Sequence, residues 1–382
     1  MPIKTPAFPY RRGSGASDKD FFDIDDESTI QIAKRQLRRP RTWIILLAWF
    51  CILKWWYRAH PPPNPSPHLD YTRVDWSRYA YTQYATSETY LCNSVMLFEA
   101  LDRLGSQAER VLFYPQEWDL IIKNEADRTS QLLRMAMNQY NVQLKPVAIE
   151  GLKVEPQDEH GSSEASWDTS SAKLFAFALL EYDRVIHLDS DMTLLASIDE
   201  LFFLPKAPVA MPRAHWLLPE TKSLSSLIVV LEPSYREYKI LQESVHSVGG
   251  VNFTDSRFDM ELLNARYGES AMVLPHREYG LVSGEFRRKD HWRYMGNTEE
   301  RWNPDQALAE AKFVHFSDWP LPKPWIMWPQ KLLSELQPMC DNNPGTPEES
   351  GCRDREVWKD LYDGFRHRRK DICKLLSYPA PI

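Results

Sequence analysis

The chain has 382 residues, of which 43% are hydrophobic and 26% are charged, values close to those of soluble globular proteins. This composition excludes wholesale disorder, and the length allows two or three domains or one large enzyme fold with appendages. The 46 Lys and Arg residues face 53 Asp and Glu residues, and the resulting net charge of −7 argues against nucleic acid as the main partner.

The first part of the chain predicts a tail and a membrane anchor. Residues 1–42 are polar and mixed in charge, which is typical of a disordered tail. Residues 43–57 hold an apolar run closed by two tryptophans and a tyrosine, and this pattern predicts one short transmembrane signal-anchor helix. A buried helix or a signal peptide is the alternative, but no small-residue cleavage site follows the run. Basic residues precede the run, so the positive-inside rule puts the tail in the cytosol and the rest across the membrane.

The segment after the anchor predicts a stem that carries a lumenal domain. Residues 58–77 are rich in proline, which is typical of an extended, stiff spacer. This layout is that of a single-pass type II Golgi membrane enzyme, and a vacuolar or other secretory membrane is compatible with it. Asn252 begins an N-x-[ST] triplet and is therefore a candidate N-glycosylation site. In an oxidising compartment, one short disulfide between Cys340 and Cys352 is conceivable.

The downstream sequence alternates between strand-like and helix-like segments. The patterns predict strands at 78–83, 110–114, 142–149 and 184–188, and helices at 88–104, 128–140 and 171–182. This order predicts an α/β fold with a mainly parallel central sheet, in which ligands bind beyond the carboxyl ends of the strands. No dinucleotide or P-loop motif follows any of these strands, so those two nucleotide-binding classes are excluded. The basic stretch 366–370 is interpreted as a solvated helix face.

Two acidic residues follow the fourth predicted strand. Asp189 and Asp191 come directly after the apolar segment 184–188, which places two carboxylates at the ligand-binding edge. Such hard oxygen ligands suit Mn²⁺ or Mg²⁺ bridging to a substrate diphosphate, and a polar turn is the alternative. A short strand predicted at 312–316 presents His315, with Lys323 not far beyond it. His315 could complete a metal site, and Lys323 could neutralise phosphate.

These segments together resemble glycosyltransferase family 8, the glycogenin-like retaining enzymes of the GT-A fold. The resemblance rests on the two aspartates after a strand and on residues 314–316 followed by 323–325. Further segments resemble one branch, the fungal N-acetylglucosaminyltransferases that modify mannose side chains; they are 91–96, 231–234, 273–277, 284–287 and 315–319. The resemblance extends over residues 79–328. It implies a GT-A catalytic domain at 78–330, followed by a C-terminal extension at 331–382.

The resemblance also implies roles for individual residues. Asp189, Asp191 and His315 are similar to the family's Mn²⁺ ligands, and Mg²⁺ is another divalent ion that suits them. Asp189 would contact the donor as well. Lys323 matches the lysine that holds the donor diphosphate.

A second set of residues is expected around the donor sugar. Lys173 matches a family lysine near the donor phosphates, and Asp259 matches an acidic residue near the donor sugar or acceptor; both are catalytic candidates. Ser225 and Ser226 stand where glycogenin-like members have an Asn-x-Gly sequence. This departure favours N-acetylglucosamine over glucose as the donor sugar, because a serine could pair with the N-acetyl amide.

The implied activity is metal-dependent, retaining transfer of a sugar, expected to be N-acetylglucosamine, from a UDP-sugar to a mannose-containing glycan of a glycoprotein. One alternative is a glycogenin-like glucosyltransferase that uses UDP-glucose. The other is a catalytically inactive, membrane-anchored sugar-binding or scaffold protein. The presence of all three metal-ligand candidates favours an active enzyme over the scaffold.

Overall fold

The computed structural model describes residue 49 and residues 71–148, 172–248, 259–318, 323–340, 352–374 and 378–379. It contains two compact units, residues 1–74 and 75–382. In the first unit, residues Tyr71–Arg73 form a 3-10 turn. Within the described ranges, none of the helices has the length and apolar character needed to cross a bilayer. The predicted tail, all of the predicted anchor but Trp49, the stem up to residue 70 and the candidate glycosylation site Asn252 lie outside the described residues.

The second unit is built around a seven-stranded sheet whose strand order is β3-β2-β1-β4-β7-β6-β8. Its strands are β1 Tyr79–Tyr84, β2 Glu109–Pro115, β3 Val142–Val147, β4 Arg184–Leu188, β6 Val209–Pro212, β7 Ile228–Leu231 and β8 Met272–Leu274. Strands β3, β2, β1 and β4 pair in parallel, and β6 pairs in parallel with β8. Strand β7 runs antiparallel to both of its neighbours. The sheet is therefore mixed but mostly parallel, as the alternating sequence pattern predicts.

The other strands of the described residues form two smaller sheets. Strands β5 Met192–Leu194, β9 Leu281–Val282 and β10 Phe313–His315 form one of them, with β10 in the middle. Strands β11 Ile326–Met327 and β12 Tyr378–Pro379 form a parallel pair. Because β5 begins right after the two aspartates that follow β4, the small sheet with β10 stands at the carboxyl edge of the large one.

Nine α-helices occur in the described part of the chain: α1 Glu88–Arg103, α2 Arg128–Tyr140, α3 Tyr235–Val248, α4 Asp259–Tyr267, α5 His276–Tyr279, α6 Trp292–Met295, α7 Pro304–Glu310, α8 Gln330–Leu336 and α9 Arg353–Cys373. Helix α2 begins where the Asp127 side chain accepts a hydrogen bond from the Ser130 amide, and it ends at Asn141 in a left-handed conformation. The first two predicted helices correspond to α1 and α2, and the four predicted strands correspond to β1–β4.

Alternate residues of the central strands pack into two separate hydrophobic clusters. In β4, Ile186 belongs to the cluster that contains α1, α2 and α9, whereas Val185 belongs to the cluster that contains α3 and α4. Both residues are fully buried. A sheet covered on both faces explains why β4 is an almost continuous apolar run in the sequence. The carboxyl edge is thereby left as the place where polar side chains can meet a ligand.

The third predicted helix is wrong in type and length, because residues Ala172–Ala178 form a 3-10 helix. The carbonyl of Phe177 accepts a hydrogen bond from the Ser234 amide, so it is not available to an α-helical partner one turn further on. Beyond it, the Tyr182 amide bonds to the Leu179 carbonyl with turn-like spacing. Packing against the segment after β7 therefore overrides the helical pattern.

Two disulfide bonds are present in the described part of the chain. The bond between Cys340 and Cys352 confirms the pairing that the sequence suggested. The bond between Cys92 and Cys373 was not predicted; it joins α1 to the end of α9 across 281 positions of sequence.

The interpretation of 366–370 as a solvated helix face is wrong for part of the stretch. Arg369 has no exposed surface, and it donates hydrogen bonds to the Thr89 carbonyl at 3.2 Å and to Asn93 Oδ1 at 2.9 Å. Arg368 contacts Glu99 at 2.6 Å. The basic residues are thus placed by the packing of α9 on α1, which the sequence pattern of α9 alone could not reveal.

Candidate active site

The two aspartates are fixed in place by the strands around them. Gln83 Nε2 donates to the Leu188 carbonyl at 2.6 Å, so the end of β4 is tied to the neighbouring strand β1. The Asp189 amide donates to the Leu227 carbonyl at 3.0 Å, and the Asp191 carbonyl accepts from the Phe316 amide at 2.8 Å. Both aspartates therefore stand at the carboxyl edge of the large sheet, as predicted.

Strand β10 brings His315 to these carboxylates. His315 pairs with Met192 in the β5–β10 ladder, and its Nε2 lies 2.9 Å from Asp191 Oδ1 and 3.3 Å from Asp189 Oδ2. The His315 side chain is only 8% exposed, and its Nδ1 has no hydrogen-bond partner among the described residues. The ligand atoms of Asp189, Asp191 and His315 all lie within 4.8 Å of one another. Two carboxylates and a buried imidazole that converge on one point form a donor set that fits a divalent metal ion.

Lys323 contacts the same cluster from the segment after β10. Its Nζ lies 2.5 Å from Asp191 Oδ2 and donates to the Phe316 carbonyl at 2.7 Å. Burial raises the pKa of Asp191, but the positive charges of His315 and Lys323 outweigh burial and hold that pKa well below its usual range. Burial lowers the pKa of His315, but Asp191 and Asp189 outweigh it and raise the pKa to about 9.

Lys173 is the buried cation on the other side of the aspartates. Its side chain is 3% exposed, and its Nζ contacts Asp259 Oδ2 at 2.5 Å, Asp189 Oδ1 at 2.8 Å and the Ser226 carbonyl at 2.9 Å. Burial lowers the pKa of Lys173, but the carboxylates of Asp189 and Asp259 outweigh it, so the pKa lies above its usual range. The same lysine lowers the pKa of Asp189 against the opposing effect of burial. Lys173 thus links the start of α4 to the metal-ligand candidates.

The two predicted serines lie beside this network. Ser225 is 3% exposed and Ser226 is 6% exposed. The Ser226 contact with Lys173 runs through its backbone carbonyl, and the Ser225 amide donates to the Pro212 carbonyl at 2.8 Å. A role for either hydroxyl toward the donor stays a prediction, and so does a catalytic role for Asp259.

Two aromatic residues near Lys173 were missed by the sequence reasoning. The imidazole of His187, predicted only as a strand residue, stacks on the Tyr84 ring with 5.6 Å between centroids. Thr82 Oγ1 lies 2.9 Å from His187 Nδ1. Burial, helped by Lys173, lowers the pKa of His187 to about 3, so the ring is neutral at physiological pH. Burial also raises the pKa of Tyr84, so its phenol is neutral too. Thr82 and Tyr84 are two positions apart in β1 and therefore share one face of the sheet. This shared face was the signal in the sequence that could have grouped them.

A further buried carboxylate, separate from Asp189, Asp191 and Asp259, stands at the same edge of the fold. Glu285, which follows β9, has no exposed surface and contacts His291 Nδ1 at 2.9 Å and His215 Nε2 at 3.3 Å. Burial raises the pKa of Glu285, but the hydrogen bonds from the two histidines outweigh it and lower the pKa to about 2. His215 follows β6, so this contact joins two loops that come from different sheets. The sequence patterns assign no individual role to Glu285, His215 or His291.

Comparison with known proteins places the chain among named relatives. No family model matches it. A protein of Aspergillus fumigatus named glucose N-acetyltransferase 1 is 59% identical over 375 residues, which covers 97% of this chain and 96% of that protein. A protein of the same name from Gibberella zeae is 45% identical over 308 residues, which is 79% of this chain and 64% of the relative. The Saccharomyces cerevisiae protein of that name is 22% identical and covers 78% of this chain.

Solved structures give distant matches. The glycosyltransferase GlyE of Streptococcus pneumoniae matches with a TM-score of 0.45 and 16% identity, over 80% of this chain and 66% of that one. The galactosyltransferase LgtC, solved with donor and acceptor sugar analogues, matches with a TM-score of 0.44 and 12% identity, over 76% of this chain and 99% of that one. Similarity of this degree is too slight to carry the assignment, which rests on the sequence relatives.

The chain is an enzyme of the glycosyltransferase class. Its carboxylate-lined edge, with Asp189, Asp191 and His315 beside two lysines, is chemically suited to that class. The chain belongs to the glucose N-acetyltransferase 1 family, because its Aspergillus fumigatus relative is 59% identical over nearly the full length of both proteins.

Proposed function

We propose that the chain is a metal-dependent, retaining N-acetylglucosaminyltransferase of the GT-A type, related to glycosyltransferase family 8. Its donor would be UDP-N-acetylglucosamine, and its acceptor would be a mannose-containing glycan of a glycoprotein. The observation that carries the proposal is the convergence of Asp189, Asp191 and His315 on one point, with Lys323 2.5 Å from Asp191. Anionic and imidazole ligands next to an ammonium group are what a metal–diphosphate pair needs.

Asp189, Asp191 and His315 would hold Mn²⁺ or Mg²⁺ in this site. When bound, such an ion supplies positive charge that stabilises the diphosphate as it departs. Lys323, now paired with Asp191, would contribute a second positive charge to the same diphosphate. His315 can take up this role only as a neutral imidazole, so it must give up the proton that its raised pKa favours.

The bond changes follow from retention at the anomeric carbon. The bond between that carbon and the diphosphate oxygen breaks, and a bond from the acceptor hydroxyl oxygen forms on the same face. The hydroxyl proton goes to the departing diphosphate oxygen. Lys173 favours the ionised form of Asp189 and holds both Asp189 and Asp259 in place during this exchange, because it contacts the two carboxylates at 2.8 and 2.5 Å. Asp259 is in this view an orienting carboxylate beside the donor sugar.

The choice of N-acetylglucosamine over glucose is supported by two observations. The relatives carry both glucose and an N-acetyl group in their name. Ser225 and Ser226 are buried beside Lys173, where an N-acetyl amide could find a hydroxyl partner. A donor without the amide would leave that hydroxyl unpaired, at a cost of about 1–3 kcal/mol, which corresponds to a preference of roughly 5- to 150-fold. Equal kcat/KM values for UDP-N-acetylglucosamine and UDP-glucose would contradict the donor assignment.

A Golgi membrane location, with the N-terminal segment 43–57 as a type II anchor, is part of the proposal. It is supported by the two disulfides, because such bonds persist in the oxidising lumen of the secretory pathway and are rare in the cytosol. Protease treatment of sealed microsomes is expected to remove only the N-terminal tail. Digestion of the catalytic unit in intact vesicles would refute the orientation.

A donor with two labels tests the activity directly. UDP-N-acetylglucosamine is labelled with ³H in the sugar ring and with ¹⁴C in the acetyl group, and the full-length enzyme is incubated with Mn²⁺ and a mannose-containing acceptor. Both labels are expected in the product at the ratio of the donor. Transfer of ¹⁴C alone would indicate acetyl transfer and would overturn the proposal. Asp191→Asn, which keeps the size of the side chain, is expected to transfer neither label.

A further inference from the structure

The segment that carries Lys323 packs against the C-terminal helix α9. Arg366 Nε donates to the Pro324 carbonyl at 2.9 Å, directly beside Lys323 in the chain. Trp325 is 1% exposed, and its ring lies 5.7 Å from that of Phe365 on the same helix. Residues Phe365 and Arg366 of α9 therefore contact the segment 323–325 through both its backbone and a buried side chain.

The same helix also holds the strand that carries His315. The ring of Phe316 lies 5.3 Å from that of Tyr362 and 5.1 Å from that of Phe365. Asp318, which is 5% exposed, accepts a hydrogen bond from Trp358 Nε1 at 2.6 Å. The residues that directly follow His315 and those that directly follow Lys323 are thus both fixed to α9.

The position of α9 is itself strongly determined. The disulfide from Cys92 to Cys373 ties its last residue to α1. Arg368 donates to the Met96 carbonyl at 2.9 Å and contacts Glu99 at 2.6 Å. The helix is thus a rigid base, and contacts from it can set the position of residues that it touches.

We propose that Arg366 is a positioning residue for the donor diphosphate. Its bond to the Pro324 carbonyl fixes the backbone next to Lys323 and so sets where the Lys323 ammonium stands relative to Asp191. This inference rests on the proposed function, because it takes the diphosphate of a UDP-sugar as the group that Lys323 meets. It gives the basic stretch of α9 a role in donor binding that its sequence pattern did not suggest.

Arg366 and Arg368 form a matched pair for the test. Both side chains are 25% exposed, both stand on α9, and each donates to a backbone carbonyl at 2.9 Å. Arg366→Ala is expected to weaken UDP binding, measured by calorimetry with Mn²⁺, by about tenfold, the worth of one charge-assisted hydrogen bond. Uridine, which has no phosphate, and the glycan acceptor should bind unchanged. Arg368→Ala should leave UDP binding within about twofold, and Arg366→Lys should recover part of the loss.

A double-mutant cycle separates a positioning role from a general loss of structure. If Arg366 acts through Lys323, then Arg366→Ala should cause no further loss of UDP affinity in a Lys323→Met background. An equal loss in both backgrounds, or the same loss from Arg368→Ala, would overturn the inference. A wild-type enzyme that does not bind UDP with Mn²⁺ would instead contradict the proposed function. Melting temperatures of all variants show whether a loss of affinity reflects unfolding. If Arg366→Ala is unfolded, the comparison of UDP affinity is made between Arg366→Lys and the wild type instead.

Discussion

Replacing Lys173 by Met removes the buried ammonium that two carboxylates share. The ammonium is 3% exposed and contacts Asp259 and Asp189 at 2.5 and 2.8 Å. Methionine has a similar length and no charge, so the carboxylates stay in place, Asp259 loses this cation, and Asp189 is left, among the described residues, with that of His315 alone. Breaking a buried ion pair in this way costs about 3–5 kcal/mol. We expect the lower end, near 3 kcal/mol, because the two carboxylates are 15% and 22% exposed and water can reach them in part.

A second substitution isolates the electrostatic origin of this cost. In Lys173→Met/Asp259→Asn the Asp259 charge that has lost the Lys173 cation is also removed, so the double variant should be more stable than Lys173→Met by about half of the lost free energy. Urea unfolding at neutral pH without metal measures both values. The penalty of the single variant should shrink as the pH falls, because burial raises the pKa of a carboxylate that has lost its cation and protonation then removes the charge.

Catalysis should not follow stability in these two variants. Both lack the ammonium beside Asp189, so both are expected to lose sugar transfer even where the double variant is the more stable. The reasoning would be refuted if Lys173→Met unfolded at the wild-type urea concentration, or if adding Asp259→Asn lowered its stability further. Wild-type transfer by either variant would remove Lys173 from the site.

Three further predictions concern the metal site, Glu285 and the disulfide bond between Cys92 and Cys373. Mn²⁺ affinity, measured by calorimetry, should rise about tenfold per pH unit from pH 7 toward 9, because binding must displace the proton that His315 holds with a pKa of about 9. Asp191→Asn should abolish Mn²⁺ binding. An Mn²⁺ affinity that does not change with pH would contradict the role of His315 as a ligand. Glu285→Gln should be less stable than wild type above about pH 4.5, and the difference should fade as the pH drops toward 2, where the lowered pKa of Glu285 no longer stabilises the fold; a difference that grows in acid would reverse the assigned sign. Replacing Cys92 and Cys373 by Ser should cost about 5.6 kcal/mol in denaturant unfolding by the chain-entropy relation for a loop of 281 residues, and an unchanged midpoint would show that the bond constrains little.

The parts of the fold that the sequence predicted are those encoded by local patterns. The apolar run of β4 is buried on both faces, and the order of residues alone therefore sufficed to place the two aspartates after it at the sheet edge. His315 followed from the short strand predicted at 312–316 and Lys323 from its place shortly after that strand, and the family resemblance added their roles. In each case neighbouring residues along the chain carried the signal.

The parts that escaped prediction depend on contacts between distant segments. The 3-10 helix that carries Lys173 ends at Ala178, where the Phe177 carbonyl bonds to the Ser234 amide, and no local pattern reports that bond. Glu285 meets His215 only because β6 and β9 end at the same edge, although 70 positions separate the two residues. Pairings of this kind are decided by topology, which periodicity does not encode.

The bond from Cys92 to Cys373 closes most of the catalytic unit into a covalent ring. The three metal-ligand candidates and the two site lysines, from Lys173 to Lys323, lie inside that ring. A single protease cut between residues 92 and 373 therefore cannot release a fragment, and the nicked enzyme keeps its lysines, aspartates and histidine on one body until the bond is reduced. A once-cut molecule would therefore migrate as intact protein on a non-reducing gel and as two pieces after reduction.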